Sequence, residues 1–158
     1  ANGLGNLLNR SISMLKRYRN GVVPKRSEEL SAEIADYVRE VRHSLSQNEL
    51  QGGLQGIWKI VNRANQYVDQ TAPFKLAKDP AQAARLDEVL YNLVECCRLI
   101  AICLWPYVPQ TAEKIFGQLG LKEEPNRFIG ARWGGLVEGH TVGDPVGLFP
   151  RKDQPKTK

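Results

Sequence analysis

No acidic side chain occurs in the first 27 residues of the chain. The charges in that stretch are all positive: Arg10, Lys16, Arg17, Arg19, Lys25 and Arg26. Because no Asp or Glu balances them, the segment favours an anionic partner. The whole chain has a formal net charge of +5 and a sequence pI near 9.2. A net positive charge of this size is moderate, so it supports an anionic partner without identifying one.

Long apolar runs and paired cysteines are scarce as well. The longest apolar run, residues 99–105, is too short to cross a bilayer, and the opening residues do not resemble a signal peptide. The cysteines, Cys96, Cys97 and Cys103, share one apolar segment without a C-x-x-C spacing, which argues against a disulfide framework or a zinc site. We therefore expect reduced, buried thiols in a reducing compartment, the cytoplasm or an organelle.

The chain has the size and composition of one globular domain, but it lacks the usual start of a complete protein. Its 158 residues, 42% hydrophobic and 25% charged, are enough to bury a core. It does not begin with methionine, and it starts inside a helical pattern with no preceding cap. These features predict a piece of a longer protein.

Apolar residues recur at three- and four-residue steps up to about residue 120, which predicts an all-α bundle of about five helices. The expected segments are 1–19, 27–43, 47–70, 79–105 and 110–119. Ser27 is expected to cap the second helix, and Ser46 with Glu49 to form a capping box for the third. The fourth helix is apolar over much of its circumference and should be central. Trp58 and Trp105 are expected in the core.

Glycine and proline become frequent after residue 120, which predicts a change from helix to extended chain. We expect residues 1–120 to form the helical bundle and residues 121–151 to form a tail that packs on it within the same domain. The last residues, 152–158, are basic and are expected to be disordered.

The opening helix has one apolar and one polar face. Placed on a helix, its polar side chains gather within a sector of about 60°: Asn6, Arg10, Ser13 and Arg17. Asn6 and Arg10 lie one turn apart and would point toward the same partner. An ordinary solvated face is the alternative, and the missing acidic residues favour an interaction instead.

Several motifs together carry a resemblance to one family. They are Leu-Gly-Asn-Leu-Leu-Asn-Arg (4–10), Ala-Asn-Gln-Tyr-Val-Asp-Gln-Thr-Ala-Pro-Phe (64–74), Leu-Trp-Pro-Tyr-Val-Pro (104–109), Trp-Gly-Gly-Leu (133–136) and Leu-Phe-Pro-Arg (148–151). With them the chain, over about residues 1–151, resembles the anticodon-binding domain of methionyl-tRNA synthetase. The second motif is shared with other class I synthetases of aliphatic amino acids. The opening helix and the Trp-Gly-Gly-Leu motif make the resemblance specific.

This resemblance implies a helical bundle that binds the CAU anticodon loop of tRNA(Met). It implies that Asn6 and Arg10 contact anticodon bases and that Phe74, where the family usually has Trp, stacks on a base. Such stacking is worth about 1–3 kcal/mol per base. The side chains expected to attract phosphates are Ser13, Lys16, Arg17, Arg19 and Lys75. On residue type alone, Phe74 would more often be a core aromatic.

The resemblance also implies what this piece lacks. No HIGH-like or KMSKS-like motif occurs in it, and its histidines are His43 and His140. We expect no catalytic residue, metal or cofactor here, with ATP and methionine bound by a catalytic domain of the parent chain. The expected partners are tRNA(Met) and that catalytic domain, with no membrane. The alternative is a helical protein–protein module that docks its basic helix on an acidic partner.

Overall fold

The structure, a computed structural model, describes residues 2–126 and 130–143 and is helical. Its helices are α1 (Asn2–Arg19), α2 (Ser31–Ser46), α3 (Leu50–Thr71), α4 (Pro73–Leu76), α5 (Ala83–Leu104) and α6 (Pro109–Gln118). A 3-10 turn, Pro80–Gln82, precedes α5. Within these two ranges there is no strand, and a single antiparallel bridge joins Val22 to Thr141. The predicted all-α bundle with about five main helices is confirmed, with α4 as one additional turn.

Helix α5 is the centre of the bundle. Every residue from 89 to 104 is buried, and helices α1, α2, α3, α4 and α6 all contact α5. Since a fully buried aliphatic or aromatic side chain contributes about 1.5–3 kcal/mol, this helix supplies much of the driving force for folding. The predicted central helix is therefore correct. None of the helices in the described ranges has the length and apolarity needed to span a membrane.

The end of α1 follows its local sequence. Asn20 and Gly21 both have positive φ, 55° and 76°, which turns the chain out of the helix. The Gly21 N–H donates to the Leu15 carbonyl at 3.1 Å and satisfies one of the last carbonyls of α1.

The predicted start of α2 is wrong by three residues, because the N-cap is Leu30 and not Ser27. Ser27 does not cap the helix, which begins at Ser31. Its hydroxyl instead accepts hydrogen bonds from the Glu29 N–H at 3.3 Å and from the Asn92 side-chain amide at 2.9 Å. The Asn92 oxygen then accepts the Leu30 N–H at 2.9 Å. A buried asparagine on α5 thus holds the chain entering α2, which local spacing cannot reveal.

The predicted capping box at α3 is also wrong. Ser46 is the last residue of α2, and its hydroxyl donates to the His43 carbonyl at 2.7 Å. The chain turns through Asn48, whose φ is 59°, and α3 begins at Leu50 without a side-chain cap. The connection between the two helices is therefore residues 47–49, three residues later in the chain than the expected 44–46.

Trp58 is not a core residue, contrary to the prediction. It is 36% exposed, whereas its neighbour Ile57 is fully buried. The 3.6-residue period admits only one of these two adjacent positions to the centre of the buried stripe. Trp58 lines an apolar groove of about 280 Å³ together with Leu4, Leu54 and Leu104. Trp105 is half-buried and packs at the edge of the core.

A buried carboxylate attaches the chain after residue 130 to α5. Glu95 is fully buried and accepts the N–H groups of Gly134, Gly135 and Leu136 at 2.7, 3.0 and 3.1 Å. Arg98, one turn along α5, donates to both carboxylate oxygens at 2.9 and 2.7 Å. A buried charge is tolerated only when it is paired in this way.

The remaining donors of Arg98 reach the same segment, so the pair holds it from both sides. Arg98 donates to the carbonyls of Gly130, at 2.8 Å, and Arg132. A Cβ at Gly135 would clash with the Arg98 guanidinium, which explains glycine at that position.

Two aromatic side chains complete the attachment. Trp133 donates its indole N–H to the Ser27 carbonyl at 2.7 Å, and Tyr91 donates its hydroxyl to the Leu136 carbonyl at 2.8 Å. Leu136 and Val142 are buried in the core. The part of the predicted tail in residues 130–143 thus lies on the bundle. Residues 148–151 and the predicted disordered end, 152–158, lie outside the described residues.

We predict that Glu95→Gln destabilises the domain by about 3–5 kcal/mol, because it leaves the buried Arg98 charge without its counter-ion. Chemical denaturation followed by far-UV circular dichroism measures the change. Asp36→Asn is the control, since Asp36 pairs with Arg39 on the exposed surface of α2 and should cost less than about 1 kcal/mol. Equal losses in the two variants would contradict the role assigned to Glu95.

A second prediction concerns pH. Hydrogen bonds from Arg85, at 2.7 and 3.1 Å, hold the pKa of Glu29 below its ordinary value of 4.5, and the Tyr67 hydroxyl adds a further bond at 2.6 Å. A lowered folded-state pKa stabilises the protein above pH 4.5, and this contribution is lost as pH falls through the folded-state pKa. Glu29→Gln should therefore destabilise at pH 7, by less than about 1 kcal/mol because the pair is partly exposed.

The same difference should shrink as pH falls below 4.5 and through the folded-state pKa of Glu29, as measured by denaturation at pH 7 and at an acidic pH below that pKa. Glu113→Gln on α6 removes one exposed negative charge and serves as the control. A loss in Glu29→Gln that is equally large at both pH values would be inconsistent with the linkage.

Candidate nucleic-acid interface

Arg10 joins the polar face of α1 to the C-terminal part of α3. Its Nη2 donates to the side-chain oxygen of Asn65 at 2.7 Å, and its Nη1 lies 4.0 Å from a carboxylate oxygen of Asp69. The Asn65 amide nitrogen donates to the Gly3 carbonyl at 3.1 Å. Asn65 and Asp69 lie one turn apart on α3. The first half of α1 and the last turns of α3 therefore form one continuous polar surface.

The guanidinium of Arg10 is held on one side and open on the other. Its side chain is 41% exposed, but its Nε is buried and has no hydrogen-bond partner among the described residues. Nη2 is bound by Asn65, whereas Nη1 lies near Asp69 without a hydrogen bond to any residue in the described ranges. Asp69 is 78% exposed, so its attraction to Arg10 is largely screened by water. The Nη1 donors of this part-exposed side chain are thus not used by a hydrogen bond within residues 2–126 and 130–143.

Asn6 lies one turn before Arg10 on the same face of α1. It is exposed, and its side chain makes no hydrogen bond to any other residue that the structure describes. An amide side chain offers both a donor and an acceptor, which suits the edge of a nucleobase.

Phe74 is 52% exposed, so the alternative that it is a core aromatic is wrong. It lies in α4, which begins directly after Ala72, and Ala72 adopts a left-handed conformation with φ 47° and ψ 63°. That conformation costs an alanine roughly 1–2 kcal/mol, and it ends α3 sharply. Pro73 is buried at the first position of α4. The backbone turn at Ala72 and Pro73 therefore sets the direction of the Phe74 side chain, and the core does not enclose that side chain.

The contact between Arg10 and Asp69 places the polar face of α1 near the end of α3 that leads into α4. Asp69 precedes Phe74 by five residues. The direct placement of Phe74 beside Asn6 and Arg10 stays a prediction.

The residues expected to attract phosphates differ in their surroundings. Arg17 and Lys75 are exposed, while Ser13 and Lys16 are half-buried. Arg19 has a structural role instead, because its guanidinium pairs with Asp87 and donates to the Ala83 carbonyl at 3.2 Å. It joins α1 to the start of α5.

The three cysteines lie in the core as buried thiols. Burial raises the pKa values of Cys97 and Cys103 to about 12 and also raises that of Cys96, so all three thiols stay protonated near neutral pH. Among residues 2–126 and 130–143, no group of three or more His, Cys, Asp or Glu side chains is placed to hold a metal ion.

Comparison with known proteins identifies the family. Residues 19–156 match the family model described as the anticodon binding domain of methionyl tRNA ligase. The chain belongs to this family. Phe74 lies within the matched residues of the anticodon-binding domain, whereas Asn6 and Arg10 precede them.

Individual relatives extend the similarity of this anticodon-binding domain to the opening helix. Methionine–tRNA ligase of Caldanaerobacter subterraneus subsp. tengcongensis is 40% identical over 99% of this chain and 25% of its own length. The enzyme of Fusobacterium nucleatum subsp. nucleatum is 38% identical over 96% of this chain and 25% of its own length. The chain thus spans about a quarter of the length of the curated relatives that it matches.

Solved structures show the same fold. Mycobacterium tuberculosis methionyl-tRNA synthetase in complex with methionyl-adenylate superposes with a TM-score of 0.84 and 30% identity, over 95% of this chain and 31% of that one. The apo form of the same enzyme gives a TM-score of 0.84 and 31% identity, over 98% and 33%.

Sequence reasoning missed the residue that holds Arg10. Asn65 lies in the quoted 64–74 motif, but no role was predicted for it. The signal was the pair Asn65 and Asp69, two polar residues one turn apart on a helix whose neighbouring positions, Ala64 and Val68, are buried. A polar pair beside the core stripe marks the rim of a helix–helix contact.

We predict that Phe74→Ala changes the free energy of unfolding by less than about 0.5–1 kcal/mol, because about half of the side chain is already in water. The control is Phe116→Ala on α6, where the side chain is 3% exposed and its loss should cost about 3–5 kcal/mol. Chemical denaturation of both variants measures this. A large loss in Phe74→Ala would show a packing role instead of an exposed one.

Proposed function

We propose that this chain selects tRNA for a methionyl-tRNA ligase by binding the CAU anticodon loop through Asn6, Arg10 and Phe74. The observation that carries the proposal is the exposure of Phe74 at a strained turn. Single exposed apolar side chains are common on protein surfaces, so exposure alone identifies no ligand. Here it leaves the face of the ring open to a stacking partner, at the position where the resemblance implies a stacking aromatic. Unstacked loop bases provide such a partner, and stacking on an aromatic is worth about 1–3 kcal/mol per base.

Arg10 and Asn6 supply the directional contacts in this proposal. The Arg10 guanidinium, held at Nη2 by Asn65, keeps its Nη1 donors unbonded by the described residues and in a fixed plane, which suits the acceptors of a base edge. Asn6, one turn away, adds a donor and an acceptor. Two such side chains on one rigid helix can distinguish bases, whereas flexible surface lysines cannot.

The charge distribution supports an RNA partner. Residues 1–27 contain no acidic side chain, and Arg17 on α1 and Lys75 beside Phe74 are exposed. We assign Arg17 and Lys75, with Ser13 and Lys16 nearby on α1, to the phosphates of the loop. Such contacts contribute affinity that falls with salt and does not depend on sequence.

In the parent enzyme, this role would complement a catalytic domain that lies outside the present chain. That domain would bind ATP and methionine and charge tRNA(Met), while the present domain would provide anticodon discrimination and no catalytic residue. The protonated, buried thiols fit a reducing compartment such as the cytoplasm.

The test is a titration of this chain with two anticodon stem-loop RNAs that differ only in a CAU or a CUA anticodon. We expect tighter binding to CAU at every salt concentration and affinities that weaken steeply with salt. Phe74→Ala should lower the affinity about ten- to hundredfold, matching the loss of one stacked base. Phe74→Trp should retain or increase it.

Arg10→Ala and Arg17→Ala form a matched pair on one helix. Arg10→Ala should reduce the preference for CAU over CUA, because it removes a base contact. Arg17→Ala should weaken both RNAs equally and lower the salt slope by about one. Equal effects of Arg10→Ala on the two RNAs would contradict the base-recognition role. Failure of the chain to bind either RNA would favour an acidic protein as the partner of the basic helix.

A further inference from the structure

We propose that Asn65 is a positioning residue that sets the direction of the Arg10 guanidinium and thereby the selectivity of the interface. The inference rests on the proposed function and assigns a role on α3 to a residue that the base-contacting set does not include.

The geometry gives Asn65 two anchor points on α1. Its amide nitrogen donates to the Gly3 carbonyl at 3.1 Å, and its oxygen accepts from Arg10 Nη2 at 2.7 Å. Gly3 and Arg10 lie seven residues apart, about two helical turns. The two bonds also define the orientation of the amide, because the reversed orientation would place a donor against Arg10 and an acceptor against the Gly3 carbonyl. The Gly3 carbonyl of α1 thus orients the Asn65 amide, and the Asn65 amide in turn orients the Arg10 guanidinium.

The held guanidinium is prepared for a ligand. Asn65 uses one donor of Nη2, and the buried Nε makes the inner edge inaccessible. The Nη1 donors, which make no hydrogen bond in the part of the chain that the structure describes, then lie in a plane determined before RNA arrives. Because an unrestrained Arg side chain samples many rotamers, this arrangement reduces the ordering cost of binding and favours one base-edge geometry.

Asp69 does not provide this alignment. Its oxygen lies 4.0 Å from Arg10 Nη1, beyond hydrogen-bond distance, and its side chain is 78% exposed. Asn65 is itself half-buried between α1 and α3, a position that favours action through Arg10 over direct contact with RNA.

The experiment is a double-mutant cycle on this chain with Arg10→Ala, Asn65→Ala and the double variant. Affinities for the CAU and CUA stem-loops are measured for each. We expect Asn65→Ala to lower the CAU affinity about five- to tenfold and to reduce the CAU-to-CUA preference. In the Arg10→Ala background, Asn65→Ala should change either affinity by less than about twofold, since the side chain that it positions is gone.

Gln55→Ala, at an exposed position of the same helix, is the matched control and should leave both affinities unchanged. Thermal unfolding reports whether each variant is folded. Asn65→Ser, whose shorter side chain does not bridge Gly3 and Arg10, is the second variant if Asn65→Ala does not fold, with the same expected pattern.

Four outcomes would overturn the inference. Equal losses from the Asn65 variant with and without Arg10 would show that Asn65 acts on RNA or on the fold independently. Equal losses for CAU and CUA would show no role in selectivity. A wild-type chain without a CAU preference, or an unchanged preference in Arg10→Ala, would overturn the proposed function and this inference together. If only the Asn65 pattern fails, the positioning role alone is wrong.

Discussion

The Glu95 carboxylate is the interaction on which much of the remaining architecture depends. It lies in the most buried helix, where an unpaired charge would be very costly, and it is compensated by Arg98 and by the N–H groups of residues 134–136. Asn92, one turn earlier on α5, holds the entry to α2. Asn92 and Glu95, two polar residues on a largely apolar helix, therefore fix the positions of the chain entering α2 and of residues 134–136. Hydrophobic burial is non-directional and would not fix these positions alone.

The candidate interface has the opposite organisation. Its side chains are exposed, yet they project from elements that the interior holds in place. Asn65 restrains Arg10 across the α1–α3 contact, and the left-handed Ala72 and the buried Pro73 orient Phe74. A surface arranged in this way can be polar and accessible without being flexible, which is what selective binding of a loop requires.

Most of the fold was predictable because α1, α2, α3 and α6 carry clear apolar periodicity, and because α5 is apolar over much of its circumference. The errors at Ser27 and Ser46 have one cause: a capping motif is local, whereas contacts from α5 and from the α2–α3 turn decide where these helices begin. Trp58 was misplaced because neighbouring apolar residues cannot both occupy the centre of a buried stripe. For the site, the helical pattern of α1 predicted that Asn6 and Arg10 lie on its polar face. The contact of Asn65 with Arg10 could not be predicted, because it depends on which helix packs against α1.

The exposure of Phe74 has an evolutionary consequence. A buried aromatic can be exchanged only for one of similar volume, since the surrounding core must repack. Phe74 is half-exposed and the backbone turn before it sets its direction, so the core hardly constrains the size of its ring. A change from phenylalanine to tryptophan here would need no compensating change in the core, and the proposed stacking contact could vary independently of stability.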